Sequence, residues 1–335
     1  MSRCPACSAP SQKSPVHVFS AQQAAQHFVL AEEYPKQHAD LRVHIESLWD
    51  AATCEVHECT ACGLRYAWPF VAGDGRFYNL AYPYSEYPEQ RWEFDQTALS
   101  LAEDPPAPGK VLEIGSGFGY FLRKISPSIV PPSRVVAVEF NDLARGKLQQ
   151  AGYTVFGHDI RSAGFDRYRG QISAVFMFQV LEHMDDLDSV MRRLNELLQP
   201  GGRIYLAVPN GQRIEYNERH GSLFDMPPNH ISRWTEAALK AFAARGGWTM
   251  EEYRVEPLRL RDLVRGDLVF SHMQRAQRPG SLANRVRARP RTNLRLAAEG
   301  ALALLAAPSR VGAWYEAHRV ETALGDSIWA RFRAG

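Results

Sequence analysis

Between Lys110 and Val208, short and almost wholly apolar runs alternate with stretches of helical spacing. Val111–Ile114, Val135–Phe140, Ala174–Phe178 and Arg203–Val208 read as strands with buried faces; Tyr120–Ile125, Asp142–Ala151 and Leu187–Leu198 read as helices between them. Apolar strands separated by helices predict a parallel, doubly wound sheet. Gln199-Pro-Gly-Gly202 marks a helix stop followed by a strand start. Further on, Thr235–Arg245 reads as a helix ending at Gly246-Gly247, then Thr249–Val255 as a strand and Ser327–Arg333 as the last strand.

The flanks have another texture. Residues 1–75 carry all five cysteines, with a Gln-, His- and Ala-rich stretch from Ala21 to Asp50 that reads as helical. Residues 76–100 gather Phe77, Tyr78, Tyr82, Tyr84, Tyr87, Trp92 and Phe94, and the break Asp104-Pro-Pro-Ala-Pro-Gly109 follows. Residues 257–324 read as a helical, arginine-rich insertion. The expected organisation is a metal module (1–75), an aromatic lid or linker (76–106), an α/β core (107–256), the insertion (257–324) and a final core strand (325–335).

Composition narrows the classes. At 335 residues the chain has room for about two domains and a sizeable core without disulfides. Hydrophobic residues at 45% and charged residues at 23% are ordinary for a globular protein. A net charge of +2 gives no support to a whole-protein nucleic-acid binder. The longest apolar run, Leu296 to Ala307, is too short to span a bilayer and contains Glu299. The start, Met-Ser-Arg-Cys-Pro, has no apolar signal core, so the expected location is cytoplasmic.

The strongest chemical signal is Val-Leu-Glu113-Ile-Gly115-Ser-Gly117-Phe-Gly119, a strand running into a glycine-rich turn that opens a helix. Such a turn lets backbone approach a ligand closely, and the helix N-terminus offers free N–H groups. The next strand ends at Glu139, placed to accept the hydrogen bonds of a ribose diol. A dinucleotide site would share this layout, but its third glycine falls one residue later, and the Lys-Ser/Thr of a P-loop is missing.

These residues resemble class I S-adenosylmethionine-dependent methyltransferases. The resemblance covers roughly residues 107–256 and rests on five ordered motifs: the glycine loop, Glu139, Gly157-His-Asp159, Phe178-Gln179-Val-Leu-Glu182-His183 and Leu198-Gln-Pro200-Gly201-Gly202. It implies a Rossmann-like, seven-stranded methyltransferase sheet, with S-adenosylmethionine held by Glu113, Gly115, Gly117, Gly119, Glu139, Asp159 and Gln179. Glu113 could instead order the loop, and Asp159 could be a plain loop acid.

Methyl transfer to a hydroxyl benefits from a base, and two histidines are placed for it. His183 follows the fourth core strand. His230 lies in Asp225-Met-Pro-Pro-Asn-His230, which resembles a Pro-x-His element of small-molecule methyltransferases. A structural role competes for His183. Glu182 and Asp185 read as solvated or capping groups.

Cys4-Pro-Ala-Cys7 and Cys59-Thr-Ala-Cys62-Gly63 have the spacing of two zinc knuckles, so Cys4, Cys7, Cys59 and Cys62 are expected to hold a structural Zn²⁺. Cys54 is left over for the core, and His57 is an outside ligand candidate. The double Cys-x-x-Cys ahead of this fold resembles sugar C-methyltransferases acting on nucleotide-linked sugars, without their long second domain. Zinc-ribbon rRNA methyltransferases share the order.

From Leu258 to Arg295 there are ten arginines, no lysine, and only Asp262 and Asp267 as acids. Three readings compete: contact with an anionic small molecule at the substrate edge, contact with RNA or a membrane surface, or a solvated helical face. The helix around Leu296–Ala307 reads as buried against the core or a partner. The expected function is methyl transfer from S-adenosylmethionine to a small-molecule acceptor, at oxygen, on a sugar or a biosynthetic intermediate. An RNA methyltransferase gripping its substrate through the zinc module and arginines is the first alternative. A non-catalytic cofactor-binding module is the second.

Overall fold

Eleven strands in the computed structural model, which describes residues 3–10, 14–81, 88–220, 225–276, 278–290 and 292–335, fall into two sheets. The first strands are β1 (His17–Ser20), β2 (Thr53–Glu58) and β3 (Arg65–Trp68). The stretch expected to be one helical region is two helices, α1 (Ala21–Phe28) and α2 (Pro35–Trp49). Ser20 caps α1 in a reciprocal box with Gln23, and Pro35 opens α2, where a missing N–H costs nothing. Then come α3 (Gly75–Ala81) and α4 (Trp92–Glu103).

The core proceeds as β4 (Lys110–Ile114), α5 (Tyr120–Ile125), β5 (Val135–Val138), α6 (Asp142–Gln150), β6 (Thr154–Phe156), β7 (Ile172–Phe178), α7 (Leu187–Leu197) and β8 (Leu198–Pro209). It continues as α8 (Gly211–Arg219), β9 (Ser232–Arg233), α9 (Glu236–Arg245) and β10 (Trp248–Val255). Four helices form the insertion: α10 (Leu260–Ala276), α11 (Leu282–Arg287), α12 (Asn293–Leu304) and α13 (Val311–Arg319). β11 (Ser327–Ala334) closes the sheet.

The large sheet has seven strands in the order β10-β11-β8-β7-β4-β5-β6. β4 to β8 pair in parallel; β11 lies antiparallel between β8 and β10. This is the Rossmann-like methyltransferase arrangement. The strand order reverses at β4, so ligands collect beyond the C-terminal ends of β4, β5 and β7. Alternate residues of the strands feed cores on opposite faces: Leu112, Val136, Val175 and Ile204 pack towards Trp234 and Phe242, while Val111, Val135, Ala174 and Tyr205 pack towards Phe121 and Trp329.

The small sheet, β1-β2-β3-β9, takes its fourth strand from the segment after β8. Arg65 and Tyr66 pair with Arg233 and Ser232. The N-terminal region is therefore hydrogen-bonded to the chain just past His230. Tyr82, Tyr84 and Tyr87 of the aromatic cluster lie outside the described residues. Phe77 is buried against Phe28, and the half-buried Phe94 packs on Phe121 and Phe178.

The insertion departs from expectation. α12 has only Ala303 buried, with Leu294 79% and Leu304 62% exposed, so it is not packed into the core as its apolar sequence suggested. The insertion's apolar contact with the rest of the chain includes Leu263, Ala317 and Leu324 against Tyr216.

Candidate active site

A cavity of about 1180 Å³ opens at the C-terminal edge of the large sheet. The glycine loop, the ends of β5 and β7, the Asn229–His230 segment and residues of α3 and its approach line it together. Gly115 needs its left-handed φ of +75°, and a Cβ there would meet Val180 Cγ2 at 2.5 Å. Gly117 lines the cavity with bare backbone. Gly119 instead ends the turn as the N-cap of α5, where a Cβ would strike Leu148.

Glu139 sits at the tip of β5, 6% exposed. One carboxylate oxygen accepts the Gly117 N–H at 2.7 Å and the other the Asn141 N–H at 2.8 Å. Each keeps a lone pair for a further donor. Burial raises the Glu139 carboxyl, against the pull of these bonds. Glu113 is buried beneath the loop, and its Oε2 has no hydrogen-bond partner among the described residues. Burial, with Glu139 nearby, holds its carboxyl well above the usual carboxylate range.

Asp159 lines the cavity but is clamped by Arg161, with two bonds at 2.8 Å. Burial opposes its charge, yet the guanidinium keeps its pKa low. Gln179 adopts a left-handed φ of +57° at the end of β7, and its amide nitrogen donates to Glu93 and Ser327 at 3.1 Å each. The glycine turn, the buried orphan oxygen of Glu113 and the two-handed Glu139 fit S-adenosylmethionine, with the chain's backbone at the loop and Glu139 available to a ribose.

The two histidines come together: the His183 and His230 rings lie edge to face, 4.7 Å between centroids. His230 Nδ1 bonds Asp225 at 2.7 Å. Burial disfavours the imidazolium, but the Asp225 carboxylate holds its pKa above the ordinary value. His183 Nδ1 bonds the Asn229 carbonyl at 2.7 Å, with the Tyr78 hydroxyl at 3.2 Å. Burial, reinforced by His230, lowers His183 to about 3, so it is neutral and donates from Nδ1. Both Nε2 atoms are left without a hydrogen bond among the described residues.

Glu182 reads from the sequence as a solvated or capping group. It is instead 1% exposed, and neither carboxylate oxygen has a hydrogen-bond partner among the described residues. Burial raises it to about 7, with His230 pulling the other way. The sequence reading also missed Asp225, whose spacing of five residues before His230 was on view but gives no sign of contact without the intervening turn. Asp185 accepts the Ala72 N–H and an Arg161 bond, fastening the approach to α3 beside the cavity.

Cys4, Cys7, Cys59 and Cys62 converge, with Sγ separations of 3.6 Å (Cys4–Cys62) and 3.4 Å (Cys7–Cys59). Ligands about 2.3 Å from a tetrahedral ion stand about 3.8 Å apart, so the donor set fits Zn²⁺. Cys54 is buried in the core, its thiol pushed up to about 12 by burial. His57 is not among the converging ligands; its Nε2 bonds Glu55 at 2.8 Å. The cluster is fastened to α9: Thr235 Oγ1 donates to the Cys62 carbonyl, and Arg245 to the carbonyls of Pro5 and Ala6.

Residues 87–253 match a family described as a methyltransferase domain. The protein carries an S-adenosylmethionine-dependent methyltransferase domain. Over 113 residues it is 31% identical to a protein-L-isoaspartate O-methyltransferase of Methanopyrus kandleri, covering 32% of this chain and 47% of the relative. The chain thus spans about half the length of that relative. Among solved structures, a putative sarcosine dimethylglycine methyltransferase from Galdieria sulphuraria aligns at 14% identity over 77% of this chain and 97% of its own, TM-score 0.42. A geranyl diphosphate C-methyltransferase from Streptomyces coelicolor aligns at 13% identity over 72% and 76%, TM-score 0.43.

No described arginine of the 258–295 stretch lines the cavity, so of the three readings contact with an anionic small molecule there has no support; Arg291 lies outside the described residues. Arg287 and Arg295 face Glu33 of the N-terminal region. The cavity itself carries Asp74, Glu113, Glu139, Asp142, Asp159, Glu182 and Asp185 against Arg91 and Arg161. Among the described residues no helix is long and apolar enough to cross a membrane.

Proposed function

We propose that the protein transfers the methyl group of S-adenosylmethionine to a hydroxyl oxygen of a small-molecule acceptor, with His230 accepting the hydroxyl proton. The observation that carries this reading is the His230–Asp225 pair, 2.7 Å apart, facing the same cavity as the glycine loop. Asp225 takes Nδ1, which leaves Nε2 to receive a proton. S-adenosylmethionine supplies, when bound, a methyl already activated on a sulfonium. Glu139 and the loop backbone hold its ribose and methionine ends, and α3 with Tyr78 screens the cavity from water. The acidic lining favours a neutral or cationic acceptor over an anionic one. The four thiolates hold a structural zinc with no open position.

The test is His230→Ala in a radiolabelled methyl-transfer assay against a metabolite fraction, with cofactor affinity measured alongside. The expected result is a turnover loss of about 10²- to 10⁴-fold with unchanged cofactor affinity. Full turnover in the variant refutes the role, and label in nuclease-sensitive material replaces the small-molecule acceptor with RNA.

A further inference from the structure

The floor of the cavity holds a feature that proton transfer to His230 does not use. Glu182, His183 and His230 each offer one ligand atom, and the three lie within 4.8 Å of one another. We propose that these side chains form a divalent-cation site inside the acceptor cavity, a two-histidine, one-carboxylate set with open coordination positions for an oxygen of the acceptor.

Three observations carry it. First, both imidazoles are oriented as metal ligands are. Each commits Nδ1 to a fixed acceptor, the Asn229 carbonyl or the Asp225 carboxylate, both at 2.7 Å, and so presents the Nε2 lone pair. Second, Glu182 is 1% exposed with two unpartnered oxygens. A buried carboxylate without partners is costly, and a cation between it and the imidazoles removes that cost. His183 Nε2 stands 3.8 Å from Glu182 Oε1, too far for a hydrogen bond. Adjacent ligands on an ion with bonds of about 2.1 Å stand about 3 Å apart, so binding draws the groups slightly inward. Third, the acidic lining attracts a dication.

Two imidazoles and a carboxylate suit a first-row divalent ion, and three protein ligands leave room for acceptor oxygens. The proposal rests on the reading of this cavity as the methyl-acceptor site and replaces proton transfer to His230 with a cation. With the cation in place His230 is a ligand; the cation would lower the pKa of an acceptor hydroxyl bound at its open positions, and the proton would leave to water in the cavity as the oxygen takes the methyl from the sulfonium.

The test uses the full chain with its four-cysteine site loaded with zinc. Mn²⁺, which prefers nitrogen and oxygen donors to thiolates, is titrated in and the free ion is followed by electron paramagnetic resonance. The expected result is one Mn²⁺ per chain, with affinity lowered at least tenfold in each of Glu182→Gln and His183→Gln. Calorimetry with S-adenosylmethionine on the same samples shows that each variant is folded and tests the donor site separately. No saturable Mn²⁺ below about 1 mM, or undiminished binding in either folded variant, overturns the proposal while leaving the methyltransferase reading intact. Loss of the cofactor heat in the wild type would strike that reading instead.

Discussion

The segment that delivers His230 is anchored by a buried charge pair, and removing one charge should be far worse than removing both. Arg233 on β9 is 3% exposed and Glu218 on α8 is 4% exposed, with 2.8 Å between nitrogen and oxygen. His17 approaches the other Glu218 oxygen at 2.9 Å, and Arg233 also donates to the Asp225 carbonyl at 2.8 Å. Arg233→Met leaves Glu218 buried without its guanidinium, which costs about 3–5 kcal/mol. At about 1.4 kcal/mol per tenfold, the middle of that range raises the unfolding constant about 10³-fold. Replacing both, as Arg233→Met with Glu218→Met, removes the stranded charge, and the double variant should lie within about 2 kcal/mol of the parent. Glu218→Met strands Arg233 at a similar cost, so the coupling energy, at least about 4 kcal/mol, is read from a double-mutant cycle of urea unfolding followed by tryptophan fluorescence. A single-variant cost below about 1 kcal/mol, or a double variant equal to the sum of the singles, refutes the reasoning: the pair would then be behaving as if solvated.

Two further outcomes are expected. Glu139→Ala should weaken S-adenosylmethionine binding at least tenfold by calorimetry, since it removes the acceptor offered to the ribose and frees the Gly117 and Asn141 N–H groups; unchanged heat removes Glu139 from the site. Elemental analysis should find about one zinc per chain, and Cys59→Ser should lower the melting temperature; a metal-free chain of equal stability contradicts structural zinc.

The sheet was legible because its signal is local. Strands buried on both faces are written as unbroken apolar runs, and Tyr120–Ile125 and Ser327 onward fall where periodicity puts them. β5 stops at Val138, not Phe140: the Glu139 carboxylate accepts the Asn141 N–H, Asn141 caps α6, and Phe140 is left 63% exposed. β1, β2, β3 and β9 escaped notice because they are two to six residues long and carry His, Glu, Arg and Cys among their apolar positions. Their pairing is a tertiary fact. The candidate site divides the same way. The glycine loop and Glu139 are contiguous signals. The convergence of Glu182 with both histidines needs the chain from Asp225 to Ile231 folded back over β7, which no spacing announces.

That folding-back ties the four-cysteine region to the segment that carries His230. Gly63 turns the chain out of the second Cys pair, its N–H donating to the Cys59 carbonyl, and β3 begins two residues later. β3 pairs with β9, and the Ala67 N–H donates to the Ile231 carbonyl. The Ile231 N–H in turn donates to the Glu182 carbonyl. The peptide next to His230 is therefore hydrogen-bonded on one side to the strand that the thiolates fix and on the other to the residue preceding His183. Local order at a knuckle is transmitted by backbone pairing, which tolerates little slip because a one-residue shift of β9 would turn its side chains to the opposite face. A zinc ion held there would fix the register of β3, which pairs with β9, the strand that follows His230.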